Sequence, residues 1–147
     1  MNTFIQSILV ALLLTTSLRA EEPEIRPIVA KKIFEEAKKN NNWKVAFATG
    51  KQEQVVFMCV SPATNPTNEI GMEVHPFDQS ILIVEGSGKA ILSGKETAVQ
   101  SGDLIFIPIG TEHNVINTSK ELKLISFYSG TDIPSGAVFQ KKSDESI

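Results

Sequence analysis

The stretch of sequence that decides the fold runs from Gly102 to Asn117 and reads GDLIFIPIGTEHNVIN. Residues 103–108 and 113–118 are short runs of the length that β-strands have, and a break around Gly110 separates them. Glycine and proline are the residues that most strongly interrupt regular structure. This stretch therefore predicts two short strands joined by a turn, with His113 at the start of the second strand.

The same pattern continues on both sides, from Trp43 onward. All nine glycines lie between Gly50 and Gly136, mostly at the breaks between short runs. No helical pattern long enough for the crossover of a parallel nucleotide-binding sheet interrupts these runs. The sequence therefore predicts an all-β sandwich or barrel. The predicted strands are 43–49, 54–60, 69–75, 79–85, 88–93, 95–100, 103–108, 113–118, 121–129 and 136–141.

Residues 21–41, ahead of the predicted strands, indicate one short helix. Pro27 suits its first turn, and lysines at 38 and 39 suit the negative end of the helix dipole. Three asparagines at 40–42 would end it. The apolar residues at helical spacing are Ile28, Val29, Ile33, Phe34 and Ala37.

The two ends of the chain are interpreted separately from the barrel domain, which we place at 42–141. Residues 4–18 form an apolar run, and residues 1–20 read as a signal peptide cleaved after Ala20. An uncleaved anchor is the alternative, although the run is shorter than the roughly 20 residues that span a bilayer. We therefore expect a secreted or periplasmic protein with no stable membrane insertion after cleavage, and a flexible polar tail at 142–147.

Composition excludes several classes of protein. A chain of 147 residues fits one domain, and a formal charge of −3 gives no electrostatic reason to bind a nucleic-acid backbone. One cysteine forms no internal disulfide framework and no multi-thiolate zinc site. Two histidines exclude any site that needs three imidazoles from one chain.

Four polar residues are the candidates for chemistry. Glu73 and His75 are two positions apart, so on an extended strand they project to the same side. Gln79 shares the parity of Ile81 and Ile83 and can enter the same apolar interior. If the segment that carries His113 lies next to them, two imidazoles, a carboxylate and an amide oxygen converge on a site for a divalent metal.

Here the sequence resembles the cupins, specifically the small single-domain ones. Their first motif is G-x5-H-x-H-x3-4-E-x6-G, and this chain keeps its spacing, with Glu73 for the first histidine and Gln79 for the glutamate. Thr67 stands where the leading glycine is expected. The second motif, G-x5-P-x-G-x2-H-x3-N, is met in full by Gly102, Pro108, Gly110, His113 and Asn117.

The resemblance implies a single cupin barrel, that is, a double-stranded β-helix or jelly roll, with a short N-terminal helix. Residues 70–79 are similar to a subgroup called mannose-6-phosphate-isomerase-like. By this resemblance Glu73, His75, Gln79 and His113 are the metal ligands, and the divalent metal is iron, manganese, zinc or nickel. Gln79 is either a direct ligand or a group that orients a metal-bound water. The family habit also favours a homodimer.

Two functions remain open at this stage. In the first, the protein is a metal-dependent enzyme of isomerase, lyase or oxygenase type that acts on a small oxygen-rich substrate, with Tyr128 as the candidate catalytic residue. In the second, it is a non-catalytic module that binds a small molecule or a metal. The sequence shows no nucleophile supported by a base, and this keeps the second hypothesis open.

Overall fold

The computed structural model describes residues 25–146, so the predicted signal peptide lies outside the described residues. None of the helices within 25–146 has the length and hydrophobicity that a membrane crossing requires. The elements in chain order are helix α1 (Ile33–Lys39), strands β1 (Lys44–Thr49), β2 (Gln54–Val60), β3 (Gln79–Glu85), β4 (Ser87–Leu92), β5 (Lys95–Gln100), β6 (Leu104–Ile107), β7 (His113–Asn117), β8 (Leu122–Tyr128) and β9 (Val138–Phe139), and a 3₁₀ helix (Lys142–Ser146).

The strands form two antiparallel sheets. One has six strands in the order β6-β3-β8-β2-β1-β9, and the other has three in the order β5-β4-β7. The main core lies between them and includes Val56, Met58, Leu124 and Val115, all of which are buried. This arrangement confirms the all-β fold class with a short N-terminal helix.

Helix α1 covers part of the outer face of the six-stranded sheet. Ala37 packs there with Phe57, Val84 and Ile125 in a second buried cluster. Strands β2 and β8 are therefore buried on nearly their whole length, because one face meets the core and the other meets the helix or its neighbours. This contact explains why β2 reads as a nearly continuous apolar run rather than as an alternation, whereas β8 also carries the buried polar residues Lys123 and Ser126.

The helix is shorter than the sequence indicates. It begins at Ile33, directly after Lys32, which adopts a left-handed backbone conformation with a φ of 54°. The first half of the predicted apolar stripe therefore lies outside the helix, and Ile28 and Val29 are exposed. A left-handed residue cannot continue a right-handed helix, so the break is local and steric.

The expected strand at 69–75 is also different in the structure. Only two isolated bridges form there, Glu69 with Ile116 and Glu73 with His113. Gly71 separates them, and its φ of 98° interrupts the extended backbone. The segment still runs beside β7, so it delivers its polar side chains although it is not a regular strand.

The C-terminal residues, expected as a flexible tail, adopt a 3₁₀ helix from Lys142 to Ser146. The backbone N–H of Lys142 donates to the carbonyl of Thr64 at 2.9 Å, and its ammonium donates to the carbonyl of Ile70. Trp43 donates its indole N–H to Glu145 at 3.0 Å. These long-range contacts hold a segment whose own sequence carries no strong structural pattern.

One end of the six-stranded sheet is polar on its inner face. Tyr128 on β8 pairs with Gln54 on β2 on one side and with Gln79 on β3 on the other. Ser126 is two residues earlier on β8 and therefore on the same face. All four are buried. The interior of the barrel therefore changes from apolar to hydrogen-bonding at this end, and the candidate site lies there.

Candidate metal centre

Glu73, His75 and His113 come together at the polar end of the barrel. Each offers one ligand atom, and these atoms lie within 4.8 Å of one another. The Oε2 atom of Glu73 is 3.2 Å from Nε2 of His75 and 3.9 Å from Nε2 of His113. Three of the four predicted ligands therefore form a cluster that could bind a metal ion.

The backbone fixes two of these residues against each other. Glu73 and His113 exchange backbone hydrogen bonds of 2.9 and 3.0 Å, which is the isolated bridge between the 69–75 segment and β7. Paired residues in such a bridge hold their side chains close together. The second motif thus supplies His113 on a strand, and the first supplies Glu73 opposite it.

His75 is held by contacts on several sides. Its carbonyl accepts a hydrogen bond of 3.0 Å from the backbone N–H of Gly110, which sits in the left-handed region with a φ of 76°. Its ring stacks on Phe77 at 5.0 Å and meets the edge of Tyr128 at 5.4 Å between centroids. The imidazole is therefore oriented by packing before any ligand binds.

His113 has the hydrogen-bonding state that a metal ligand needs. Its Nδ1 lies 2.8 Å from the carbonyl oxygen of Thr111, and a carbonyl only accepts, so Nδ1 carries the proton and donates. The lone pair is then on Nε2, which faces Glu73. This atom is buried and has no hydrogen-bond partner.

Gln79 also has a buried acceptor atom without a hydrogen-bond partner. Its amide donates from Nε2 to the hydroxyl of Ser126 at 2.8 Å, which leaves Oε1 as an acceptor. Oε1 is also buried without a hydrogen-bond partner. Among residues 25–146, the buried side-chain nitrogen and oxygen atoms that lack such a partner are Nε2 of His113 and Oε1 of Gln79. A buried polar atom without a partner costs about 1–3 kcal/mol, and a cation bound at the cluster would satisfy Nε2 of His113. The donor set therefore fits a divalent metal.

A buried lysine that belongs to no sequence motif lies beside the cluster. The side chain of Lys44 on β1 is only 4% exposed. Its Nζ is 2.9 Å from Oε1 of Glu145, 3.2 Å from Oδ2 of Asp132 and 4.0 Å from Oε1 of Glu73. An inward lysine in a predicted strand was the available signal, because Lys44 shares the parity of buried Ala46.

The charges of this group shift two pKa values. Burial by itself raises the pKa of Glu73, but the hydrogen bond from His75 and the charge of Lys44 outweigh it and hold the pKa below its ordinary value. Burial by itself lowers the pKa of Lys44, but the electrostatic interactions with Tyr128, Asp132 and Glu73 and the hydrogen bond to Glu145 outweigh it and hold the pKa above its ordinary value. Glu73 is therefore a carboxylate and Lys44 an ammonium at neutral pH.

Tyr128, the candidate catalytic residue, is a buried phenol next to His75. Burial is the largest cause that raises the pKa of Tyr128 above its ordinary value. The hydroxyl therefore stays protonated near neutral pH and is available as a hydrogen-bond donor. Its position next to a ligand is observed, and its catalytic role stays a prediction.

Comparison with known proteins agrees with this geometry. A family model described as a cupin domain matches residues 63–128, a range that contains all four predicted ligands. The chain is 37% identical over 116 residues to the uncharacterized protein YrkC of Bacillus subtilis, with 73% of this chain and 60% of the relative covered. This chain therefore spans less than two thirds of that relative.

Two further similarities cover more of the other protein. The uncharacterized protein L612 of Acanthamoeba polyphaga mimivirus is 36% identical over 112 residues, which cover 72% of this chain and 68% of the relative. The crystal structure of BH2720 from Bacillus halodurans superposes with a TM-score of 0.76 at 33% identity, over 82% of this chain and 94% of that one. These matches indicate the fold and the family, and their names state no activity.

Proposed function

Because this chain belongs to the cupin family, we propose that it binds one divalent metal ion in its barrel through Glu73, His75 and His113, with Gln79 as a fourth group. The observation that supports this most is the pair of buried acceptors without a partner, Nε2 of His113 and Oε1 of Gln79. Both belong to the residues that the two sequence motifs point to.

The electrostatics of the site support a divalent ion. Glu73, Asp132 and Glu145 carry three negative charges when ionised and Lys44 carries one positive charge, so the group has a net charge of −2. A divalent cation neutralises this charge. Two imidazoles with one carboxylate suit first-row metals, so we propose iron, manganese, zinc or nickel.

We further propose that the protein is a metal-dependent enzyme that acts on a small oxygen-rich molecule by isomerase, lyase or oxygenase chemistry. A bound metal supplies a Lewis acid for a carbonyl or hydroxyl oxygen, or a centre for oxygen chemistry. Around it, Phe77 and Tyr128 orient the ring of His75, and the Tyr128 phenol offers a protonated donor. Gln79 presents its amide oxygen because Ser126 holds the amide nitrogen.

A non-catalytic binding module is the second candidate, and the cavities favour it. The larger cavity, about 610 Å³, lies between residues 25–28 and the β1–β2 hairpin, away from the cluster. A smaller one, about 140 Å³, is lined by Gln79 and Tyr128 but by none of Glu73, His75 and His113. A small molecule held in the larger cavity would therefore not touch Glu73, His75 or His113, which fits binding without turnover.

Metal content tests the first proposal. Protein purified without chelators should contain about one equivalent of a first-row metal by elemental analysis, and His75→Ala, His113→Ala and Glu73→Gln should each lose most of it. Glu112→Gln is the matched control, because Glu112 is exposed and directly precedes His113. A wild-type protein with no more metal than these variants would contradict the assignment.

Activity distinguishes the two candidates once metal is bound. Metal-loaded protein should consume oxygen with an enediol or hydroxy acid, or should convert sugar carbonyls in an isomerisation or lyase assay. His113→Ala should abolish that turnover. Saturable binding of such molecules with no turnover in any assay would favour the module.

Export and assembly are separate proposals. We propose that residues 1–20 direct export and are removed, and that the mature protein meets a small-molecule partner outside the cytoplasm as a homodimer. Intact mass of protein from the growth medium or periplasm should correspond to a chain beginning at Glu21, and light scattering should give twice the monomer mass. Retention of the full-length chain in the membrane fraction would contradict the export proposal.

A further inference from the structure

We propose that Asp132 and Glu145 are positioning residues of the metal centre, which hold the ammonium of Lys44 away from Glu73 and so keep Lys44 from competing with the cation for the Glu73 carboxylate. This inference rests on the proposed metal binding. It assigns a role to three residues outside the ligand set, one of them in the C-terminal segment.

The distances rank the partners of Lys44. Its ammonium lies 2.9 Å from Glu145 and 3.2 Å from Asp132, but 4.0 Å from Glu73. A buried cation needs anionic partners, because desolvation of an unpaired charge is very unfavourable. If the two nearer carboxylates were neutral, Glu73 would be the remaining acid beside Lys44. The ammonium and the metal would then compete for one carboxylate.

Two sets of contacts hold the Glu145 carboxylate beside the ammonium of Lys44. One of its oxygens accepts the indole N–H of Trp43 at 3.0 Å, and the other accepts the ammonium of Lys44. The 3₁₀ helix that carries it is anchored by both the backbone and the side chain of Lys142. The contact to Lys44 is therefore built into the fold rather than made by a freely rotating side chain.

Asp132 is fixed by an equally specific arrangement. The fully buried Gln54 accepts the backbone N–H groups of Asp132 and Ile133 at 3.0 and 3.2 Å through Oε1. Its amide nitrogen donates to the carbonyl of Ile133 at 2.7 Å. The second carboxylate oxygen of Asp132 lies 3.9 Å from Nδ1 of His75, so Asp132 faces a ligand as well as Lys44.

A purely structural role would be to neutralise a buried lysine, and the affinity for metal separates the two roles. In the proposal, removing the two acids weakens the metal site because Lys44 turns to Glu73. Removing Lys44 as well should then restore the site. A structural role alone predicts lower stability in both cases and no such recovery of affinity.

The test uses Zn²⁺ affinity measured by competition with a chelator, together with the unfolding midpoint of each variant. Asp132→Asn combined with Glu145→Gln should weaken binding by roughly 10- to 100-fold, the range typical for groups that support metal ligands. Adding Lys44→Met to this pair should recover at least half of the loss on a logarithmic scale. Glu112→Gln, which removes an exposed charge next to His113, should change affinity by less than a factor of about two.

The single variant Glu145→Gln keeps the proposal testable if the combined variants fold poorly, because an amide oxygen can still accept from Trp43. It should weaken Zn²⁺ binding severalfold while Trp43 fluorescence, a report from the one tryptophan of the chain, stays unchanged. Removal of residues 142–147 should shift that fluorescence and weaken binding to a similar extent.

The outcomes separate the inference from the function it rests on. If wild-type protein binds Zn²⁺ and the paired variant binds it equally well, or if Lys44→Met fails to restore affinity, the positioning role is overturned. If wild-type protein binds no Zn²⁺, the proposed metal site fails and the inference fails with it.

Discussion

The side chains of Lys44 and Lys123 are both almost completely buried, at 4% and 6% exposure, yet they lie in different regions of the molecule. Lys44 points into the barrel and meets three carboxylates beside the candidate metal ligands. Lys123 points outward from β8, where its ammonium donates to the carbonyl of Lys38 and to the side chain of Asn41, with Glu121 at 3.4 Å. The same residue type is therefore buried by two different solutions.

The difference shows that a buried charge is not by itself the mark of a functional site. Lys123 reaches the carboxyl end of α1, where backbone carbonyls lack partners and a cation is favourable, so it fastens the helix to the sheet. Lys44 instead takes part in a group with excess negative charge, which a second cation can neutralise. The chemistry of the partners, rather than the burial, distinguishes the two roles.

Of the tests of this difference between the two lysines, the replacement of Lys44 should have the largest effect. Lys44→Met leaves three carboxylates without their cation, and we expect the metal-free protein to lose about 3 kcal/mol of unfolding free energy, at the lower end for a broken buried pair because the acids are partly exposed. Zn²⁺ should return more stability to this variant than to wild type, since it replaces the missing charge. Chemical denaturation with and without Zn²⁺ measures both effects; equal gains from Zn²⁺ in the two proteins would contradict this account.

Replacing Lys123 in the same way should have a smaller and different effect. Lys123→Met removes two charge-assisted hydrogen bonds at the end of α1, and we expect a loss of about 1–3 kcal/mol. Hydrogen exchange should show faster opening of residues 33–39, while Zn²⁺ affinity stays within about a factor of two of wild type. A clear fall in metal affinity would remove the distinction between the two lysines.

The thiol of Cys59 gives the smallest and most local test. Cys59 lies opposite Lys123 in the β2–β8 pairing and is buried, and burial is the main cause that raises the pKa of its thiol. Because the thiolate is the reactive form, labelling by a thiol reagent at pH 8 should be slow in wild type and should rise only well above the ordinary thiol pKa of about 8.5.

The two lysine variants should separate in this assay. Lys123→Met should speed the labelling of Cys59 severalfold, because greater exposure outweighs the loss of a charge that lowers the thiol pKa. Lys44→Met should leave the rate near that of wild type when both are held well below their unfolding midpoints. Similar acceleration in both variants would mean that the lysines support one cooperative unit.

Much of the fold followed from local pattern. The spacing of glycines and short runs predicted strands at 54–60, 79–85 and 95–100, and the structure has β2, β3 and β5 at those positions. The pattern failed at 69–75, where Gly71 interrupts the strand, and at the start of the helix, where Lys32 is left-handed. Both errors depend on a single backbone angle, which composition and periodicity do not report.

Some residues of the candidate site could likewise be predicted from the sequence, and others could not. Glu73, His75 and His113 could be named because their spacing matches a motif, and the structure brings them together. Gln79 lies in the interior with a free amide oxygen, and whether it binds metal directly is still a prediction. Lys44, Asp132 and Glu145 belong to no motif, so their part in the site could not be seen in the sequence.

The sequence by itself determined the strand pattern, the class of fold and the residue types that a metal could use, because these depend on neighbours a few positions apart. Only the tertiary structure decided which charges surround those ligands. Lys44 and Asp132 are 88 positions apart, and Trp43 and Glu145 are 102 positions apart, so they meet only when the barrel closes. Electrostatic environment depends on distance in space, and for this site that distance is set by the packing of the C-terminal segment and the loop after β8 against β1.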